Sequence, residues 1–286
     1  LQERFSRADP HCWGWPVWPE AYRHPALPAV QAYAAEARER VEFFEYLQWL
    51  VDQQLGGAGR RAQDLGLGVG IYQDLAVSVD RGGAEVWSNQ DLYATASVGA
   101  PPDDFALGGQ DWGLPPYAPE RLREAGYAPF IAMLRANMQH SGALRIDHVM
   151  GLARLFWVPP NGKAADGAYV RYPFDDLLGI IALESQRHRC LVIGEDLGTV
   201  PDEVREGLAR AGILSYRLLL FEREHGGAFK APAAYPQDAL AACSTHDLPT
   251  LAGYWAGHDI ELRARLGLFP SEEKRHEQIV ARAQDR

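Results

Sequence analysis

Ala143-Leu144-Arg145-Ile146-Asp147-His148 is a short apolar run, interrupted by one arginine and closed by an acid. A run of this length and composition reads as a buried strand with Asp147 at its C-terminal end. The pattern returns at Cys190-Leu191-Val192-Ile193-Gly194, followed by Glu195-Asp196-Leu197, and at Leu240–Ser244, followed by Thr245-His246-Asp247. Val69-Gly70-Ile71-Tyr72, ending at Asp74, and Ser215–Phe221 read as two further buried strands. Helical periods separate them, over Tyr127–Met138 and Phe174–Arg187. Another helix opens at Pro201-Asp202-Glu203 and closes at Gly212, with proline in the first turn and acids against the dipole.

Short buried strands alternating with helices imply parallel βαβ units joined by right-handed crossovers. Two architectures fit, a (β/α)8 barrel and an open doubly wound sheet. No Gly-rich phosphate fingerprint opens any of these helices, and acids recur at successive strand ends. Both facts favour the barrel, whose sites draw on several strands at one face. Upstream, Val30, Tyr33, Ala37, Val41, Phe44, Leu47 and Leu50 give a helix to about Leu55, which Gly56-Gly57 is expected to end. A further helical turn leads to Gly66, and Ser271 reads as the N-cap of the last helix.

The chain has 286 residues, 47% hydrophobic and 23% charged, a globular balance. Its net charge of -10 and the lack of a basic face argue against nucleic acid as a partner. No apolar run reaches the roughly 18 residues of a membrane span, and the first residues lack a signal-peptide pattern. Cys12, Cys190 and Cys243 are too scattered for a disulfide framework or zinc site. Cys190 and Cys243 fall within strand readings, as small buried hydrophobes. A reducing, cytoplasmic setting is the default. The chain starts without Met and ends inside a helical pattern, so a fragment is expected.

An aspartate after a strand is ordinarily a turn former, and each acid taken singly has that plain reading. Glu195 is the least ordinary, because glutamate is a poor turn former. Three acids at strand ends together match glycosidic-bond chemistry, which needs one charged carboxylate and one protonated carboxyl. Arg145 and Asp147, two apart on a strand, face the same side, where a guanidinium can hold the carboxylate ionised. His148 and His246 each flank an acid, a placement suited to binding hydroxyls. Asp74, His148, Glu195, His246 and Asp247 lack metal-ligand spacing, and an arginine among them disfavours a cation. Trp112 has the flat apolar face on which sugar rings stack.

With those residues in place, the chain resembles the 4-α-glucanotransferases (amylomaltases, or disproportionating enzymes) of the α-amylase superfamily, most closely the bacterial maltodextrin-utilisation branch. The resemblance runs through nearly the whole chain. It rests on Trp13-Gly14-Trp15-Pro16, Ile71-Tyr72-Gln73-Asp74-Leu75 and Gly99-Ala100-Pro101-Pro102-Asp103. Gly109-Gln110-Asp111-Trp112-Gly113, Leu144–His148, Ile193–Gly198 and Ser244–Thr250 complete it.

The resemblance implies Asp147 as nucleophile, Glu195 as general acid/base and Asp247 as transition-state stabiliser. It implies that Asp74, Arg145, His148 and His246 shape the subsite of the reacting glucose, and that Asp103, Gln110 and Trp112 belong to a loop over the acceptor side. The implied fold is an α/β (β/α)8 TIM barrel, here a partial catalytic domain over 1–286 carrying about strands 3 to 7, with a substrate-loop insertion at about 78–126. Five strands of a closed barrel leave two open edges. The implied reaction moves α-1,4-glucan segments between maltodextrins by retaining double displacement, with no cofactor and no metal. An amylase-like hydrolase and a non-catalytic glucan-binding scaffold are the alternatives.

Overall fold

The computed structural model describes residues 1–102, 106 and 108–285. The chain divides into two compact units, Leu1–Ile213 and Leu214–Arg286.

The first unit begins with helix α1 (Gln2–Ala8), a Trp-rich irregular stretch, α2 (Pro28–Glu36) and α3 (Arg38–Asp64). The helical period from Val30 is thus two helices parted at Ala37, and the second runs through Gly56-Gly57 instead of ending there. Gly56, with Gly59 one turn on, serves packing. A Cβ on Gly56 would meet the His140 ring at 3.0 Å, and one on Gly59 would meet the His140 carbonyl at 2.7 Å.

Strand β1 (Tyr72–Leu75) follows, then α4 (Ala84–Ser88), β2 (Ser97–Ala100), β3 (Gln110–Asp111), α5 (Pro119–Glu124) and α6 (Ala128–Met138). β4 (Ala143–Ile146), β5 (Arg154–Val158), β6 (Ala168–Arg171), α7 (Phe174–His188), β7 (Leu191–Gly194) and α8 (Asp202–Arg210) complete the unit. β1, β4 and β7 form a parallel sheet in the order β1-β4-β7. β4 lies in the middle and all four of its residues are buried. The first strand differs from expectation. It starts at Tyr72 rather than Val69, because Gly70 takes a left-handed φ of 79° that breaks the extended run. It is also half-exposed, as an edge strand.

Leu144, Leu134, Met138, Leu177, Ile181 and Val204 belong to one buried cluster that joins the sheet to α6, α7 and α8. Leu144 and Ile181 are fully buried, and truncating either to alanine costs about 2–5 kcal/mol. Cys190 is buried there and its thiol is pushed up to about 11 by that burial. Cys243, expected inside a strand, is exposed, because the strand before it ends at Ala242.

The segment expected as a plain loop insertion contributes β2 and β3 to an antiparallel sheet of order β3-β2-β5-β6. Its other strands, β5 and β6, lie between Arg154 and Arg171, a stretch in which the sequence reading places no strand.

In the second unit β8 (Ser215–Leu218) and β9 (Ala239–Ala242) pair in parallel. α9 (Leu251–Ala256), α10 (His258–Arg265) and α11 (Glu272–Asp285) follow. Ser271 Oγ accepts from Lys274 N at 3.2 Å, the expected cap. Arg282, buried, holds Asp259 through both of its terminal nitrogens at 2.8 and 2.9 Å. Among the described residues neither parallel sheet closes on itself.

Glu184 on α7 has a buried side chain, yet it is charged. Arg135 of α6 donates to it from Nε at 2.9 Å and Nη2 at 3.0 Å, and Arg187 adds Nη1 at 2.7 Å. The Arg135 hydrogen bonds, with help from Arg187, hold its carboxyl down at about 2. The folded value lies below the ordinary one. The stabilisation is therefore complete above about pH 4.5 and is lost as pH falls from there toward about 2. Glu184→Ala is expected to lower stability by about 1–3 kcal/mol near neutral pH. Urea midpoints measured from neutral pH down to about pH 3 should show the gap to the parent chain narrowing.

Candidate active site

The parallel register sets the site. Arg145 stands opposite Asp74 on one side and Ile193 on the other, and Ile146 stands opposite Gly194. The ladder runs one step past the strands. Asp147 N donates to Leu75 O and Glu195 N donates to Ile146 O, both at 2.9 Å. Asp147 and Glu195 therefore leave adjacent strands at the same level, and neighbouring strands lie about 4.7–4.9 Å apart.

Arg145 is 6% exposed. Its Nη1 donates to Asp74 Oδ1 at 2.6 Å and its Nη2 lies 2.8 Å from Asp147 Oδ1. The i, i+2 relation places Arg145 and Asp147 on one face, as their spacing requires. One guanidinium thus spans an acid from the edge strand and an acid from its own strand, through charge-assisted hydrogen bonds that fix the direction of both.

Glu195 is treated differently. Burial pushes its carboxyl up, and the nearby Asp147 charge pushes the same way. Two backbone donors oppose this, Leu197 N to Oε1 at 2.8 Å and His148 N to Oε2 at 3.0 Å, with a smaller pull from Arg145. The balance remains upward, which favours the protonated acid.

His148 occupies the left-handed region, φ 48° and ψ 56°, a conformation histidine adopts more readily than most side chains. That turn aims its own N–H at Glu195 and lets the next residue, Val149, donate to Glu195 O at 3.0 Å. Burial lowers the His148 imidazole, against the pull of Asp147, so the ring is neutral near pH 7. Its ring stands perpendicular to that of Trp112 at 5.4 Å between centroids, and Trp112 Nε1 donates to Gln110 Oε1 at 2.9 Å. Gln110 and Trp112 are thereby joined to the carboxylate pair through His148. Asp103 lies outside the described residues. A largely apolar cavity of about 270 Å³ extends behind Asp147 and His148, lined by Leu75, Tyr93, Tyr117, Leu152 and Tyr172 among others.

The 4-alpha-glucanotransferase family model matches residues 4–285. The chain belongs to that family. It is 48% identical over 274 residues to the 4-alpha-glucanotransferase of Haemophilus influenzae, covering 95% of this chain and 39% of that protein. It is 43% identical over 263 residues to that of Mycobacterium tuberculosis, covering 89% and 36%. The chain therefore spans well under half the length of these glucanotransferase relatives. Among solved structures it matches the amylomaltase of Corynebacterium glutamicum with a TM-score of 0.80 at 43% identity, over 84% of this chain and 35% of that one. The amylomaltase of Streptococcus agalactiae in complex with acarbose matches with a TM-score of 0.75, over 88% and 52%. At 23% identity it speaks for the fold alone. The mixed α/β architecture is thus that of part of an amylomaltase.

Two residues that the glucanotransferase resemblance singled out belong to the second unit. His246 and Asp247 follow β9, are largely exposed, and stand side by side, Nε2 to Oδ2 at 3.3 Å. Asp247 N donates to Thr245 Oγ1 at 3.2 Å, a local turn of the kind the plain reading anticipates. Thr250 then caps α9 by accepting from Gly253 N at 3.0 Å. No cluster of potential metal ligands occurs among the described residues.

Sequence reasoning missed the backbone donors that hold Glu195. An N–H carries no side-chain signature, and only the fold brings His148 to it across 47 residues. Because the Asp147 charge raises the Glu195 carboxyl, Asp147→Asn should let it fall. Carboxyl carbon NMR titration, with the Glu195 signal assigned by its loss in Glu195→Gln, measures this directly. A Glu195 midpoint that stays in place or rises in Asp147→Asn would contradict the coupling.

Proposed function

We propose that this chain carries the catalytic carboxylates of an intracellular 4-α-glucanotransferase, which moves α-1,4-glucan segments between maltodextrins with retention of anomeric configuration. The observation that carries the reading is the pair of opposed carboxyl environments at adjacent strand ends. Asp147 is paired with Arg145, and Glu195 is half-buried and biased toward its protonated form. Retaining glycosidases need a charged nucleophile and a protonated acid about 5–5.5 Å apart, a spacing that neighbouring strands supply.

In this scheme the Asp147 carboxylate attacks the anomeric carbon while Glu195 gives its proton to the departing glycosidic oxygen. The bond to that oxygen breaks as a glucosyl ester forms on Asp147. Glu195, now ionised, takes a proton from the 4-hydroxyl of an incoming glucan, which displaces the ester and restores both carboxyls. Asp247 serves as the third carboxylate, with His246 beside it. Asp74, Arg145 and His148 shape the subsite, and Asp103, Gln110 and Trp112 form the acceptor-side loop. Transfer exceeds hydrolysis where that loop excludes water and positions the acceptor. The strands are those numbered three to seven of a (β/α)8 barrel, and no cofactor enters the chemistry.

Incubation with maltotriose, followed by product analysis by chain length, tests the proposal. Glucose together with oligomers longer than the substrate is expected, and shortened products alone would replace transfer with hydrolysis. Binding without turnover would favour the scaffold alternative. Asp147→Asn should lower the rate by about a thousandfold or more, and comparable activity in that variant would remove Asp147 from the role of nucleophile.

A further inference from the structure

One of the two donors to Glu195 belongs to a peptide that is itself held from behind. Leu197 N–H donates to Glu195 Oε1 at 2.8 Å, and the carbonyl of that same peptide unit, Asp196 O, accepts from Arg205 Nη2 at 3.2 Å. The C=O and N–H of a trans amide point in opposite directions on one rigid plane. The Arg205 guanidinium and the Glu195 carboxylate therefore sit at the two ends of a single planar unit.

Arg205 has a second grip on the same residue. Its Nη1 donates to Oδ2 of Asp196, which is 4% exposed. Holding residue 196 by both carbonyl and carboxylate restricts rotation of the peptide that follows it. The base of this clamp is firm. Arg205 lies on α8 between Val204 and Leu208, both buried in the core cluster.

We propose that Arg205 is a positioning residue for the general acid, aiming the Leu197 N–H at Glu195 by fixing the Asp196–Leu197 peptide from its opposite end. The proposal rests on the reading of Glu195 as the group that transfers the proton. A cation at the carbonyl end also polarises the amide and strengthens its N–H as a donor. The other donor, His148 N–H, comes from the end of β4 and does not pass through Arg205. The clamp thus governs one of two donors to the acid, and releasing it should leave Glu195 anchored but less well stabilised as an anion. Burial and the Asp147 charge would then have less opposition.

The plain alternative is an ion pair that only ties a loop to a helix. Carboxyl carbon NMR titration of Glu195 in the 286-residue chain separates the two, comparing the parent with Arg205→Gln and Arg205→Lys. In Arg205→Gln the Glu195 midpoint should move up by roughly half a pH unit or more. Arg205→Lys keeps the charge and loses the planar fork, and it should move in the same direction. An unchanged midpoint in Arg205→Gln overturns the proposal. So does a lysine variant that titrates like the parent, since only charge would then matter. If Arg205→Gln does not fold, the lysine variant decides alone. The titration needs no turnover, so absence of longer oligomers from maltotriose would sink the transferase reading and leave this result legible. In an active chain the alkaline limb of kcat/KM should follow the same displacement.

Discussion

A guanidinium almost wholly removed from water is the constraint around which the first unit is organised. Arg145 sits in the middle of the central strand, with every residue of that strand buried. A charge in such a place is tolerable only if paired and hydrogen-bonded, and breaking such pairing costs about 3–5 kcal/mol. The pairing comes from two directions. Asp74 reaches it from β1 and Asp147 from the end of β4 itself. The edge strand is therefore held to the central one by more than backbone hydrogen bonds, and the same guanidinium fixes Asp147 in direction.

Chemical differentiation of the two carboxyls follows from their depth and their partners. Asp147 retains about a third of its side-chain exposure and faces a cation. One strand away, Glu195 is steadied by peptide N–H groups, which support its charge without abolishing the penalty of burial. A parallel register brings the pair level, and burial then raises the proton affinity of Glu195 while Arg145 pairs with Asp147. That difference in surroundings is what assigns different tasks to two residues of nearly the same chemistry.

Much of this was legible in the sequence, and unevenly. Buried strands with acids at their ends were readable at Ala143–Ile146 and Leu191–Gly194, because a short apolar run bounded by polar residues has few other uses. The Arg145–Asp147 pair followed from a two-residue spacing. Local readings failed where distant packing decides the outcome. The glycines of α3 suit a close neighbour, His140, some eighty residues away, and so do not stop the helix. The antiparallel sheet was invisible because β2, besides its short neighbour β3, finds its partner only at β5, beyond the buried strand β4. Glu195 stood out as a residue, while its two N–H partners could not, since every residue but proline carries one.

The left-handed turn at His148 separates two properties that usually change together. What the turn offers Glu195 is a main-chain N–H, and what it offers Trp112 is an imidazole ring. Substitution alters only the second, provided the new residue accepts the backbone conformation. Asparagine or glycine at 148 would keep the grip on the acid and redraw the surface beside the loop. Position 148 thus divides its work between backbone and side chain, so the anchoring of the acid and the surface beside the reacting sugar answer to different parts of one residue.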